Sequence, residues 1–375
     1  MFRPLQDDDD GSRAIKLGSA VTSRLNITIS VVDLGKPVII KGELSGSGQS
    51  VCAKVHSMGL VKRRYEMRRG IVLGVLLAVG ALSLTIAASE QQGGTQQPAP
   101  KVVTVDKIKD NLFVLKGGGG NTAVFVGTNG VIVVDTKLAG WGQPILSKIH
   151  ELTPKPVTTI INTHSHGDHM SGNVEFPASV EIVAHEKTKT NVEAWPPVYG
   201  SATVFPNVVK ESGGKGVPRK TFKDKLTFGS GNDRVDLFYF GRGHTGGDAW
   251  VVFPSLHVLH TGDMFPNKGV LVIDKNAGGS SVEFPETLRK AANGLKDIDT
   301  VITGHAPATM TMADLKTWAD FTRDFVNAVR EAKKAGKSVD DVVASWKVPE
   351  KYTGYGTPPA TFMKNAATVI FEEVR

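Results

Sequence analysis

Six consecutive positions, His164-Ser-His166-Gly-Asp168-His169, hold three imidazoles and a carboxylate. Imidazole nitrogen and carboxylate oxygen are the usual non-sulfur ligands for zinc. In an extended loop, residues at i and i+2 face the same side, so His164 and His166 can grip one divalent metal together. Gly167 lets the chain turn sharply and points Asp168 and His169 toward a different place, suited to a second metal. The chemistry that such a pair supports is hydrolysis. Two divalent ions close together lower the pKa of a shared water and polarise the oxygen under attack. That chemistry needs no side-chain nucleophile, and the only cysteine, Cys52, lies far toward the N-terminus.

Elements must hold these groups in place. Val157 to Asn162 is an apolar, β-branched run that reads as a buried strand, so the ligand run sits on the loop beyond a strand end. Three earlier strands are expected at Leu112–Leu115, Thr122–Val126 and Val131–Val134, the last running into Asp135. A helix is expected over Trp141–Leu152, a strand over 180–184 and a helix over 185–194. Further strands are expected at Lys220–Phe222, Leu226–Phe228, Val235–Phe240, Trp250–Phe253, Val258–His260 and Val270–Ile273. Helices follow at Ser281–Leu295, Met312–Lys334 and Pro359–Glu373. The long helix carries Leu315, Trp318, Phe321, Phe325, Ala328 and Val329 at helical spacing, a stripe that reads as core. The glycine run Gly117–Gly120 lacks the Gly-Lys-Ser/Thr of a phosphate loop and is expected to act as a mobile flap near the metals. Segment 195–220, rich in Pro and Gly with Trp195, Tyr199 and Phe205, is expected to wall a substrate pocket.

Five segments in order resemble the motifs of the metallo-β-lactamase-fold hydrolase superfamily. They are Val131-Ile-Val-Val-Asp135-Thr136, the run Thr163 to His169, Gly241-Arg-Gly-His244-Thr-Gly-Gly-Asp248, His260-Thr-Gly-Asp263, and Gly304-His305. The resemblance covers roughly Val105 to the C-terminus. It implies an α/β (α+β) fold, the four-layer αββα sandwich, with metals at one edge of the sheets. It implies that His164, His166 and His244 bind a first zinc. Asp168, His169 and His305 would bind a second, and Asp263 would bridge the two. Asp135 would accept a hydrogen bond from a ligand imidazole and fix its tautomer. Asp168 or Asp263 would shuttle the proton. His150, His185, His257 and His260 lack ligand spacing and read as structural or surface groups.

Lactamases of this fold place cysteine or serine where Asp263 stands, so the aspartate is more similar to the thioesterase, lactonase and esterase branches. Gly243 to Asp248 with Thr261-Gly-Asp263 is similar to hydroxyacylglutathione hydrolases, but His305-Ala-Pro307 departs from their His-Glu-Tyr. Di-iron oxidoreductases of the fold carry glutamate where His166 stands. The expectation is therefore a hydrolase with two zinc ions, iron or manganese being alternative occupants. It would use a metal-bridging hydroxide on an ester, thioester, lactone or amide of a small molecule. β-Lactamase-like activity and an iron-dependent, persulfide dioxygenase-like oxidoreductase are the alternatives. A binding protein without catalysis is disfavoured, because all seven ligand positions are filled.

The chain has 375 residues and 40% hydrophobic content, enough for a large core. Its net charge of +7 suggests a nucleic-acid partner until the distribution is examined. Residues 1–87 carry 12 Lys/Arg and 7 Asp/Glu, which leaves 32 and 30 over residues 88–375. The body is nearly neutral, so no nucleic-acid partner is expected. Lys62–Arg64 and Arg68-Arg69 precede an uncharged apolar run of 18 residues, Ile71–Ala88, closed by small residues. This is a secretory signal pattern, with a retained membrane anchor as the alternative. Residues 67–89 are thus expected to export a body (105–375) into the periplasm or beyond, through a linker at 90–104. Residues 1–66 are expected to be a non-native or disordered extension ahead of the true start.

Overall fold

The computed structural model describes residues 101–374 except Val270, and three stretches before them, 25–30, 38–44 and 50–55. The chain divides into two units, Met1–Gln97 and Pro98–Arg375. In the first, β1 (Leu25–Ser30), β2 (Val38–Leu44) and β3 (Ser50–Val55) form an antiparallel sheet in sequence order. The expected signal or anchor at 67–89 lies outside the described residues, as does the linker up to residue 100. Among the described residues no helix is long and apolar enough to cross a membrane.

The second unit holds two sheets. The larger contains β4 (Thr104–Lys109), β5 (Leu112–Lys116), β6 (Thr122–Val126), β7 (Val131–Val134), β8 (Val157–Ile161), β9 (Glu181–His185) and β10 (Lys220–Phe222), paired in sequence order. Pairing is antiparallel as far as β7 and parallel from β7 to β10. The smaller sheet contains β11 (Lys225–Phe228), β12 (Val235–Phe238), β13 (Trp250–Phe253), β14 (Val258–His260) and β15 (Thr300–Ile302), also in sequence order. Only β14 and β15 pair in parallel there. The described helices are α1 (Gly142–Leu152), α2 (Gly167–Met170), α3 (Glu186–Ala194), α4 (Val208–Glu211), α5 (Phe284–Gly294), α6 (Met312–Lys334), α7 (Val339–Ser345) and α8 (Ala360–Glu373). Parallel neighbours cannot be joined by a tight turn, and α1 and α5 supply the crossovers from β7 to β8 and from β14 to β15.

Alternation along the strands creates the layers. Ala123, Phe125 and Val134 face Leu237, Val251 and Phe253 across the space between the sheets. Their neighbours Val124, Val131 and Val133 turn outward and pack with Ile145 and Ile149 of α1. On the far side, Trp250, Val252 and Leu259 pack with Leu288 of α5, Trp318 and Phe321 of α6, and Ile370 of α8. Helix, sheet, sheet and helix form the expected four layers.

Local chemistry explains most boundaries. Helix α6 opens on a capping box, with Thr311 accepting from the Asp314 amide and Asp314 bonding back to Thr311. Its buried stripe includes Val326, whereas Ala328 is only partly covered. Helix α5 starts at Phe284 rather than Ser281, with a proline in its first turn. β4 begins at Thr104, inside the expected linker, and α7 was not anticipated. The strand expected at Val270–Ile273 does not form over 271–273. Val272 instead gives its carbonyl to the site described next.

Candidate metal centre

The functional side chains come from the same end of both sheets. Asp135 follows β7, the run 163–169 follows β8, Asp263 follows β14 and His305 follows β15. His244 lies on the connection leaving β12, whose C-terminal end is on that side because β12 and β14 both run antiparallel to β13. All seven expected ligands converge. Three sets of potential ligand atoms each lie within 4.8 Å of one another: His164–His166–His244, His164–His169–Asp263 and Asp168–His169–His305.

Hydrogen bonds fix most of the imidazoles from behind. His244 Nδ1 lies 2.7 Å from the Val272 carbonyl, which can only accept, so Nδ1 carries the proton and Nε2 keeps its lone pair. His166 Nε2 donates to Asp274 Oδ2 at 2.8 Å, leaving Nδ1 as the free lone pair. Those two lone pairs face each other across 3.0 Å. Thr163 Oγ1 donates to Asp135 Oδ2, so it accepts from His164 Nδ1 at 3.0 Å. His164 Nε2 is then bare, and it is buried without a partner. His169 Nδ1 bonds to Asp135 Oδ2 at 2.8 Å, which turns Nε2 toward His305 Nε2 at 3.2 Å. Inward-facing lone pairs and a partnerless Asp263 Oδ1 are costly in a dry site, and a cation satisfies them together. The donor set therefore fits divalent metal.

Charge follows from the same geometry. Burial pushes the His164 and His244 imidazoles below their usual pKa, well below for His164, with neighbouring imidazoles adding to the effect. Burial acts the same way on His169, but Asp263, Asp168 and Asp135 outweigh it and raise its pKa well above the usual value. Asp263 raises His305 likewise. Burial favours the protonated form of Asp263, yet His169 and His305 overcome it and hold the carboxyl well below its ordinary range. The carboxylates thus favour the protonated form of His169 and His305, and metal binding competes with those protons. Asp168 and His305 are the most open members, with side chains 23% and 31% exposed. They face the cleft that leads to the centre.

Asp135 bonds to His169 Nδ1 and also accepts from the Thr163 amide at 2.8 Å. Its backbone is left-handed, at φ 63°. Sequence reasoning missed Asp274, Val272 and Lys137. The Lys137 side chain is fully buried. Its Nζ donates to the carbonyls of Leu115 at 2.8 Å and Gly120 at 2.6 Å. Burial lowers its pKa to about 7, against the pull of Asp135 and Asp168. No local signal marks these residues. A lysine after a strand end and an Asp-Lys-Asn turn both read as solvated surface.

The glycine run is not free to act as a flap. The Gly120 amide donates to the Asp168 carbonyl at 3.0 Å and the Gly118 carbonyl accepts from Leu138. A Cβ on Gly120 would stand 2.6 Å from both ring nitrogens of His169. Glycine is required there by the closeness of the backbone to the imidazole. His185 stacks on Tyr239 and bonds to the Lys223 carbonyl, and His260 bonds to the Asn121 carbonyl. Both lie outside the three sets of potential ligand atoms. In segment 195–220, Trp195 is tied down through Phe205, while Val198 to Thr203 and Phe205 line the cleft.

A model of the metallo-beta-lactamase superfamily matches residues 115–305, just over half of the chain. The chain belongs to that superfamily, whose fold the two sheets and flanking helices share. Divalent-metal binding comes with that membership, and the described His/Asp groups suit it. The chain is similar to a metallo-beta-lactamase type 2 of Elizabethkingia meningoseptica, 26% identical over 175 residues, which span 44% of this chain and 62% of the relative. The metallo-beta-lactamase IND-1 of Chryseobacterium indologenes is 23% identical over 53% of this chain and 80% of its own length. The 2,4-dinitroanisole O-demethylase subunit alpha of Nocardioides sp. strain JS1661 is 26% identical over 43% of this chain and 46% of its own. A solved metallo-beta-lactamase from Pontibacter korlensis is 19% identical, with a TM-score of 0.47 over 59% of this chain and 99% of that one.

Proposed function

We propose that this chain is an exported dinuclear zinc hydrolase that cleaves an ester, thioester, lactone or amide bond in a small molecule. The observation that carries the reading is the set of imidazoles locked from behind so that their lone pairs point into one space. His164, His166 and His244 would hold one ion, Asp168, His169 and His305 the other, and Asp263 would reach both. Two bound divalent ions supply Lewis acidity and an acidified water. The chain does the rest. Asp135, Asp274 and Val272 keep the rings oriented, and the buried walls around His164 and His169 exclude bulk solvent. Asp168, the more open carboxylate, is placed to carry a proton between the centre and the cleft.

Imidazole at position 166, where a carboxylate would suit iron, supports zinc. Two relatives named as metallo-beta-lactamases support a β-lactam amide as the second reading. The basic cluster and apolar run at 62–88 support export.

The test is elemental analysis of the full chain purified without added metal, followed by a panel of esters, thioesters, lactones and β-lactams. About two zinc ions per chain and turnover of a panel member are expected. Asp263→Ala should lose at least one ion and all turnover. About one iron and no zinc, or activity in Asp263→Ala with both ions retained, would refute the assignment.

A further inference from the structure

Beside the metal centre lies a cleft of about 800 Å³, within the range of small-molecule sites. Three walls form it: residues 198–203 with Phe205, residues 266–269 and 271–273, and the chain entering α8, 356–366. We propose that the substrate is uncharged and carries an apolar chain or ring lying along this cleft. The proposal rests on the hydrolase reading and names its substrate class.

The argument is first one of charge. Apart from the metal-centre residues, Lys268 is the single charged residue lining the cleft among those described. Its Nζ sits 2.8 Å from Asp314 Oδ1. Asp314 is itself fixed, because it caps α6 by accepting from Thr311. The lysine is thus already neutralised. Nearby Lys275 is engaged by Glu372 and by the Tyr199 ring. Away from the metal end, a substrate carboxylate in this cleft would be desolvated with no unpaired cationic side chain among the described lining residues to meet it, and an uncharged group avoids that cost.

The second argument is apolar surface. Val198, Phe205, Leu271, Ile273, Pro358 and Phe362 line the cleft. Phe205 reaches the metal loop, where a Cβ on Gly167 would stand 2.6 Å from its Cγ. An apolar wall therefore begins beside His166 and Asp168. Phe362 on the cleft wall is 48% exposed, one of four large hydrophobic residues exposed among those described. An apolar chain running outward from the metals would cover this surface.

The metal-loaded full chain is assayed with p-nitrophenyl acetate, butyrate and hexanoate, and with the hexanoate analogue ending in a carboxylate. Full burial of a methylene gives about fourfold. Because the cleft is open, a gain in kcat/KM of at least tenfold from acetate to hexanoate is expected. The terminal carboxylate should lower it at least tenfold, and Phe362→Ser should shrink the chain-length gain. A flat chain-length profile overturns the proposal. So does a preference for the carboxylate ester that Lys268→Ala abolishes. Calorimetric titration with butan-2-one and octan-2-one reads the cleft without turnover. Octan-2-one should bind at least tenfold more tightly, and equal affinities overturn the proposal. If octan-2-one wins while no ester, lactone or amide is cleaved, the hydrolase reading fails and the cleft's preference stands.

Discussion

Gly120→Ala isolates one contact that the metal centre requires. Gly120 does not adopt a positive φ, so alanine brings no backbone strain and the whole effect comes from one methyl group. That methyl would lie 2.6 Å from Nδ1 and Nε2 of His169. The ring carbon Cε1 between them is nearer still, and carbon contacts settle near 3.5–4.0 Å, so the ring must retreat by more than about 1 Å. It cannot retreat freely, because Nδ1 is held at 2.8 Å by Asp135. Breaking that charge-assisted bond costs about 1.5–3 kcal/mol. The same range, read as metal affinity, is about 10- to 100-fold, the usual effect of disturbing a group that orients a ligand. Overpacking adds about 1–3 kcal/mol of lost stability. Competition against a chromophoric zinc chelator measures the affinity, and urea denaturation of metal-free protein measures the stability. Gly213→Ala is the comparison: its Cβ would meet nothing within 4 Å, but its φ is +69°. It should lose about 1–2 kcal/mol of stability and keep its zinc. Unchanged zinc affinity in Gly120→Ala would refute the claim that the glycine is there for the imidazole.

Other contacts in the structure set further outcomes. Asp274→Asn weakens the hold on His166 Nε2, and zinc affinity should fall about 10- to 100-fold in the chelator assay with Tm little changed; unchanged affinity would mean that the bond does not orient the ring. Lys137 gives a pH dependence whose sign is fixed. Its folded pKa lies near 7, below the unfolded 10.5, so between those values the unfolded chain binds more protons. Stability of the metal-free protein should rise with pH across that window, by at most about 1.4 kcal/mol per pH unit, and Lys137→Met should flatten the rise. Urea titrations at pH 7.5, 8.5 and 9.5 read it, and an equal slope in both proteins would show that the lysine stays charged when buried. Trp318→Ala, in the middle of the outer core, should cost about 3–5 kcal/mol while metal content stays the same; a loss below 1 kcal/mol would mean that the outer helices are not packed as described.

The sequence by itself determined what depends on neighbours in the chain. Val157–Ile161 is a strand because β-branched residues suit a pleated, buried element, and α6 runs from Met312 to Lys334 because its cap, apolar stripe and length agree. The cluster His164–His169 was legible for the same reason: its ligands are close in sequence, so no fold is needed to bring them together. His244, Asp263 and His305 could be placed only through their motifs, since nothing in their own surroundings says where those loops end. Only the tertiary structure decided which groups stand behind the ligands. Asp274 meets His166 from 108 positions away. Val272 can reach His244 because 271–273 are not in a sheet ladder, which leaves its carbonyl for the imidazole. Lys137 is hidden among carbonyls in a turn whose composition reads as exposed. The glycine run shows the same limit. Four glycines in a row indicate freedom to bend, but whether that freedom is used for motion or for close approach depends on what the fold presses against them, and here it presses His169.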